Sequence, residues 1–286
     1  MRFSLSFQTL AVAGLTCAGL AAAQDCAEGV DWTKRTVCAK GVGAVNPKVP
    51  QSAARPGAVR AAQMSALRNA LEQVKGIPIT SSTTVAGSMT QSDEIRSKVE
   101  GYIKTFKLGR EHYMDDLTVE VYAEIPLDAI SDAVLPSTIQ ATPSVTTWGA
   151  PKEIGGPSGS SASAPDAGLS QGTAYTGLII DARGLGVLPA LAPRILDDQG
   201  KEVYGAANVS REWAVKYGMA GYAKAPEQAR AMKDRIGDKP GLLKAIKADG
   251  VAKTDVVLSA TDAASLRASA ETLKYLSQAR VIILVD

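Results

Sequence analysis

His112 is the only histidine of the chain, and acidic residues that could join it in catalysis or metal binding surround it. Glu111 precedes it, and Asp115 and Asp116 follow within four residues. A catalytic or metal site normally needs a nucleophile or a second imidazole close to such a group, and the sequence places neither beside His112. We therefore expect a solvated loop between a helix and a strand here, with no catalytic residue, no metal site and no cofactor.

Two glycine pairs superficially resemble the phosphate-binding turn of dinucleotide-binding proteins. Gly184-Leu185-Gly186 follows a hydrophobic segment, but the third glycine of that motif would fall at Pro189. Pro193 follows, so no helix can begin there to receive a pyrophosphate. Gly41-Val42-Gly43 fails in the same way at Asn46-Pro47. We expect both pairs to permit bends or a close approach of the backbone.

The first residues have the order of an export signal. Arg2 supplies a positive charge, Leu10–Leu20 is largely apolar, and Ala21-Ala22-Ala23 offers a small-residue cleavage site. The apolar run is shorter than the roughly 20 residues that a membrane-spanning helix needs. We therefore assign residues 1–23 to a signal peptide. Lipidation at Cys17 is disfavoured, because Gly14-Leu15-Thr16 is a poor match to a lipobox.

Cleavage would leave two cysteines, Cys26 and Cys38, in the mature chain. An even pair in an oxidising compartment predicts a disulfide. A metal site is the alternative, but no further cysteine and no histidine lies near them. We expect the bridge, and with it a periplasmic location.

The overall composition is that of a globular protein. Hydrophobic residues make up 45% and charged residues 21% of the chain, which argues against wholesale disorder. Lysine and arginine number 31 against 29 acidic residues, so the basic excess typical of nucleic-acid-binding proteins is missing. We expect no nucleic-acid partner.

Periodicity divides the chain into two folded domains and a linker. Residues 24–135 form the first domain, with order β-α-β-α-β and an antiparallel sheet covered by helices on one side. Its predicted elements are a strand over Thr36–Val45, a helix from Pro56 to Gly76, a strand over Ile77–Val85, a helix from Ser92 to Phe106 and a strand over Leu117–Ile125. Residues 136–172 are rich in proline, serine and glycine, which predicts a flexible linker.

Residues 173–286 form the second predicted domain. Its predicted elements are a strand over Thr176–Asp181, a hairpin over Arg194–Tyr204, a short helix from Ser210 to Gly218, a strand over Asp255–Ser259, a helix from Thr261 or Asp262 and a buried strand over Val281–Val285. The fold class is α+β, with two small antiparallel or mixed sheets and packed helices on either side of the linker.

Several segments together resemble the LPP-twenty-type lipoproteins and the N-terminal domain of flagellar assembly protein T. The segments are GVGAVNP (41–47), LEQVKG (71–76), TGLIIDARGLG (176–186), PRI (193–195), GKEVYG (200–205) and ARVIILVD (279–286). The resemblance implies a non-enzymatic envelope protein at the outer membrane and brings no catalytic residues. It also implies envelope or flagellar basal-body proteins as partners; the outer membrane, peptidoglycan and a second copy of the chain are further candidates.

Three functions are therefore open. The first is a structural or assembly role in the cell envelope, with or without association with a flagellum. The second is a periplasmic binding module for cell-wall glycan or lipid, which an exposed aromatic groove of Trp213, Tyr217 and Tyr222 would support. The third is a hydrolase that uses His112.

Overall fold

The computed structural model describes residues 26–106, 108–135 and 174–286. The α+β class is confirmed: one sheet lies in residues 26–135, the N-terminal part, and two lie in residues 174–286, the C-terminal part. The predicted signal peptide 1–23 and the predicted linker 136–172 lie outside the described residues. No helix among the described residues is long and apolar enough to cross a membrane.

The N-terminal part contains a four-stranded antiparallel sheet with order β1-β2-β4-β3. The strands are β1 (Gly29–Asp31), β2 (Thr36–Ala44), β3 (Leu108–Tyr113) and β4 (Thr118–Pro126). In β4 the buried residues alternate with partly exposed ones, as the sequence predicts. The loop expected around His112 is wrong, because His112 lies inside β3, at one edge of the sheet.

The long helix α1 (Gln51–Lys75) covers one face of this sheet. It is buried along a row of small residues four apart: Ala54, Ala58, Ala62, Ala66, Ala70 and Val74. The row contacts Gly41 and Gly43 of β2, where a β-carbon would collide with the helix backbone. This confirms the close approach expected of the first glycine pair, since only glycine leaves room for a helix at that distance.

Three shorter helices complete the N-terminal part. They are α2 (Val85–Gln91), α3 (Asp93–Thr105) and α4 (Leu127–Val134), and the Thr84 and Ser92 side chains cap the first two. The strand expected over Ile77–Val85 is wrong: the segment contains a single bridge, between Pro78 and Thr84, before α2 begins.

The C-terminal part alternates short strands and helices. Its elements are β5 (Gly177–Asp181), β6 (Ile195–Leu196), β7 (Glu202–Tyr204), α5 (Arg211–Tyr217), β8 (Gly221–Ala223), α6 (Pro226–Ala231), α7 (Lys233–Ile236), β9 (Pro240–Lys244), β10 (Lys247–Asp249), β11 (Asp255–Val257), α8 (Ala260–Ala268), α9 (Ala270–Ser277) and β12 (Val281–Leu284). The predicted hairpin is confirmed as β6 and β7, with Gly200 in the turn at a φ of 78°.

A wholly parallel sheet forms the centre of the C-terminal part, with order β8-β12-β5-β9. All four residues of β12 are buried, and the strand lies between two neighbours, so the prediction of a buried final strand inside a sheet is confirmed. The second sheet is mixed, with order β10-β11-β6-β7. Gly184 and Gly186 turn after β5 with φ values of 75° and 67° and no helix follows, which confirms the bends expected of this pair.

The two parts share one hydrophobic core, to which both contribute buried residues. Extended chain from the two parts also meets directly: the Leu191 and Ala192 N–H groups donate to the carbonyls of Pro78 and Ile79 at 3.0 and 2.7 Å. The backbone of the irregular Ile77–Val85 segment is therefore satisfied partly by the C-terminal part and partly by hydrogen bonds within the segment, instead of by a strand of its own sheet.

Candidate functional site

A groove of about 630 Å³ runs between helix α1 and the edge strand β3. Arg55, Pro56, Val59, Arg60, Gln63 and Met64 of α1 form one wall, and Glu111 and Tyr113 of β3 form the other. We call this surface the α1–β3 groove. Met64 and Tyr113 are large apolar residues in this groove, and each is 57% exposed. Exposed apolar side chains that cluster on a monomer are typical of binding surfaces.

The helix wall of the groove is positively charged. Residues 51–71 of α1 contain no acidic residue, and two of the three arginines there, Arg55 and Arg60, line the groove. The first turn of the helix has no acidic side chain to offset the helix dipole. The Arg55 guanidinium lies 5.9 Å from the centre of the Tyr113 ring. On the strand wall, the Tyr113 hydroxyl donates to the Glu111 carboxylate at 3.0 Å, and this hydrogen bond raises the pKa of Tyr113. The groove is therefore basic on one side and amphipathic on the other.

The strand wall is also an open sheet edge. Among the described residues, β3 ends the sheet and no strand pairs with its outer side. Met114 N–H donates to the Thr118 carbonyl at 3.0 Å, and His112 pairs with Glu120. Because hydrogen-bonded pairs alternate in an antiparallel ladder, the backbone groups of Glu111 and Tyr113 point away from β4. They face the space in which a further strand would lie.

The turn between β3 and β4 follows Tyr113 of the groove and contains a strained residue. Leu117 has a φ of 65°, in the left-handed region that favours glycine, and its side chain is 66% exposed. Neighbouring Met114 is 46% exposed. The exposed Leu117 side chain therefore gains little from packing that could offset this conformation.

The structure separates the residues that the sequence singles out around His112. His112 lies on the opposite face of the sheet from the groove and meets Tyr122 edge-on, with ring centroids 5.9 Å apart. Asp116 accepts hydrogen bonds from the hydroxyl and the N–H of Thr118 in the turn, which lower the pKa of Asp116. Over residues 26–106, 108–135 and 174–286, no group of three or more histidine, cysteine or acidic side chains could hold a metal.

A second concave surface, the inter-part cleft, has a volume of about 460 Å³. The hairpin formed by β1 and β2, which we call the β1 hairpin, supplies one wall, including Trp32. The carboxyl ends of β8 and β12 supply the other wall, including Tyr222. Ligands of parallel sheets often bind beyond the carboxyl ends of the strands. Here Trp32 packs on Tyr222, so the β1 hairpin covers the ends of these strands.

Cys26 and Cys38 are joined in the structure, with Cα atoms 5.9 Å apart, which is compatible with the predicted disulfide. The bridge ties the chain before β1 to β2 and so fixes the hairpin that forms the wall of the inter-part cleft. Such bonds are typical of proteins in oxidising compartments.

Trp213, Tyr217 and Tyr222 do not form the exposed aromatic groove that would support a binding module for glycan or lipid. Trp213 and Tyr217 stack on each other along α5, with ring centroids 5.2 Å apart. Tyr222 is 2% exposed and contacts Trp32 instead. Its hydroxyl donates to the Ala190 carbonyl and accepts from the Ala190 N–H, both at 2.9 Å, and burial raises the pKa of Tyr222.

Acidic groups of the C-terminal part are held in ion pairs that support the fold. Asp255 is fully buried and binds Arg194, whose Nη2 lies 2.5 Å from its carboxylate. Asp197 in the β6–β7 turn accepts hydrogen bonds from the N–H groups of Gln199 and Lys201. It also pairs with Arg267 at 2.9 Å. These carboxylates therefore have structural partners.

Sequence reasoning missed the α1–β3 groove, although part of its signal is present. Three arginines without an acidic residue over 51–71 already mark this stretch of the helix as positive. The sequence does not show that β3 lies at the edge of the sheet, because that position depends on the order of the strands.

Residues 177–286 match the family model described as Treponema pallidum Tp0624, second domain. The match begins at the first residue of β5 and includes every strand of the C-terminal part. It covers less than half of the chain and does not extend to the α1–β3 groove. No curated protein matches the chain.

Proposed function

We propose that the protein is a non-enzymatic, exported envelope protein with a structural or assembly role at the outer membrane. The observation that carries the proposal is the α1–β3 groove, where an open sheet edge, exposed Met64 and Tyr113 and an arginine-bearing helix face meet. Such a surface suits the binding of another protein chain. We assign the assembly role to this groove.

Two further observations support the proposal. The Cys26–Cys38 bridge fits an oxidising compartment, for which we propose the periplasm. In the C-terminal part, Asp197 and Asp255 are bound in structural ion pairs, which argues against their use in chemistry. Association with a flagellar basal body is the more specific form of the same proposal.

Site-specific photocross-linking in the source organism tests this function. A photoreactive residue at Met64 should give an adduct with a protein of the envelope fraction, because Met64 is exposed in the groove. Arg60→Glu should remove the adduct, whereas Arg68→Glu, farther along the same helix, should leave it unchanged. Co-purification with basal bodies would establish the flagellar form of the proposal. A cytoplasmic location of the chain, or an adduct that both variants leave unchanged, would exclude assembly through this groove.

A further inference from the structure

We propose that the partner inserts an extended, acidic segment into the α1–β3 groove and adds it to β3 as a fifth strand. The inference rests on the proposed function and specifies the chemistry of the partner. Strand addition is a common way for a sheet with an open edge to bind a peptide.

The backbone of β3 supplies the hydrogen bonds. Glu111 and Tyr113 are two residues apart, and the N–H and C=O groups of both point outward. They can form up to four hydrogen bonds with an added strand. A register shift between Leu108 and Glu111 ends the regular edge on one side, and the turn that begins at Met114 ends it on the other. The edge is therefore short, and side chains must contribute to recognition.

The charge of the helix wall selects an acidic segment. Alternate side chains of an added strand would face α1, where Arg55 and Arg60 are exposed. Glu111, the acidic residue among those that line the groove, already accepts a hydrogen bond from the Tyr113 hydroxyl. Glutamate or aspartate on the side that faces α1 would pair with the arginines, whereas lysine would be repelled.

The apolar groups of the groove set a second requirement. Val59 is half-buried, while Met64 and Tyr113 are exposed, so part of the groove would bury an apolar side chain of the segment. A segment in which acidic and apolar side chains alternate on the side that faces α1 would contact both the arginines and the apolar groups of the groove.

A second copy of the chain fits the groove less well. Pairing of β3 with the β3 strand of another copy would bring two α1 helices near one another, each with Arg55 and Arg60 in the groove and no acidic residue over 51–71. Repulsion between these two helix faces opposes such a dimer. The charge of the groove therefore favours an acidic partner.

Fluorescence anisotropy with the purified chain tests the inference. The probe is a labelled nine-residue peptide with threonine at the odd positions and glutamate or valine in turn at the even positions. We expect saturable binding that is at least tenfold tighter than that of a peptide with lysine in place of glutamate. Arg60→Glu should weaken binding at least tenfold, and the matched variant Arg68→Glu less than twofold.

N-methylated peptides test whether the segment forms backbone hydrogen bonds with β3. N-methylation of one alternate set of peptide nitrogens should abolish binding, and methylation of the other set should be tolerated, because only one set faces β3. The proposal would be overturned if both methylated sets had the same effect, or if the acidic and basic peptides bound with equal affinity. It would also be overturned if sedimentation showed that the chain forms a dimer and the dimer does not bind the peptide.

The two proposals can fail separately. If Met64 forms an adduct with an envelope protein but the acidic peptide does not bind, the assembly function stands and the acidic strand is rejected. Peptide binding with the expected charge and methylation pattern, in a chain that forms no envelope adduct, would retain the acidic strand and reject the assembly function.

Discussion

The Trp32 ring contacts the Tyr222 ring edge-on, with centroids 5.4 Å apart and ring planes at 71°. Trp32 follows β1 in the N-terminal part, and Tyr222 lies in β8 of the C-terminal part. The Thr33 hydroxyl also donates to the Tyr222 carbonyl at 3.4 Å. Because the Tyr222 hydroxyl is fixed by both backbone groups of Ala190, the β1 hairpin rests on a rigid aromatic group of the other part.

The first prediction concerns this contact. Trp32→Ala should lower the free energy of unfolding by about 1–3 kcal/mol, because it removes an aromatic pair and exposes part of the shared core. Urea denaturation followed by circular dichroism measures the change. Trp32→Phe is the control, since a phenylalanine ring retains most of the contact. Equal stability of Trp32→Ala and the unchanged chain would show that the two parts are held together elsewhere.

The second prediction concerns the disulfide. Reduction of the Cys26–Cys38 bridge should lower the free energy of unfolding by about 2–3 kcal/mol, because it releases a constraint on the unfolded chain and frees the β1 hairpin. Denaturation with and without reductant measures this loss. A Cys26→Ser, Cys38→Ser double variant should be insensitive to reductant.

The mass of the exported chain provides an independent check of the same bond. It should fit a chain that begins at or near Gln24 and should rise by two iodoacetamide groups only after reduction. Labelling of two thiols without reductant would contradict the bridge.

Some features of this fold can be predicted from the sequence because they depend on neighbouring residues. The small residues of α1, the glycines Gly41 and Gly43 and the terminal apolar run act through local sterics or burial, and their roles are predictable. By contrast, β3 contains Arg110, Glu111 and His112 in succession, without the alternation that a half-buried strand shows. This strand lies at an edge and is held by pairing with β4, so no periodic burial marks it.

The Ile77–Val85 segment shows the opposite error. Its β-branched residues predict a strand, but two of its carbonyls accept hydrogen bonds from Leu191 and Ala192, far away in the chain, and other backbone groups bond within the segment. Local propensity cannot reveal a partner at that separation. The α1–β3 groove was missed for the same reason, because one of its walls is defined by the order of strands.

The third prediction concerns the strained turn beside the groove. Leu117→Gly should raise the free energy of unfolding by about 0.5–1 kcal/mol, because glycine adopts the left-handed conformation without the steric cost that leucine bears. The exposed leucine side chain loses little packing when it is removed. Thermal denaturation measures the gain.

Thr118→Gly is the control for this variant. Thr118 is the first residue of β4, so glycine there should destabilise the chain. Destabilisation by Leu117→Gly of the same size would mean that the leucine side chain supports the turn.

The fourth prediction concerns acid stability. Arg183 donates to Asp181 at 2.9 Å from Nε and 2.7 Å from Nη2, and these hydrogen bonds lower the pKa of Asp181. A carboxylate with a depressed folded-state pKa stabilises the fold above its unfolded pKa, about 4 for aspartate, and this contribution is lost as the pH falls through the folded pKa.

Asp181→Asn should therefore reduce stability at neutral pH, and its difference from the unchanged chain should shrink as the pH falls below about 4. Urea denaturation at pH 7 and at several lower pH values measures the two stabilities. A difference that stays constant over that range would show that ionisation of Asp181 does not stabilise the fold.

The fifth prediction concerns the terminal strand β12. Ile283 is fully buried and pairs with both Ile180 of β5 and Tyr222 of β8, so it lies in the interior of the parallel sheet. Ile283→Ala should cost about 2–5 kcal/mol, the range for removal of several buried methyl groups from a packed core. Ile246→Ala is the matched control: Ile246 is 50% exposed, and the same change there should stay within about 0.5 kcal/mol.

Removal of residues 281–286 should have a larger effect than any single substitution in β12. The deletion separates β5 from β8, each of which pairs with β12, and leaves their inner edges without a hydrogen-bonded neighbour. It also removes four fully buried side chains from both faces of the sheet. Since a domain of this size is stable by only about 5–15 kcal/mol, the truncated C-terminal part should fail to fold cooperatively. A sharp thermal transition for the truncated chain would show instead that β5 and β8 can close the sheet without β12.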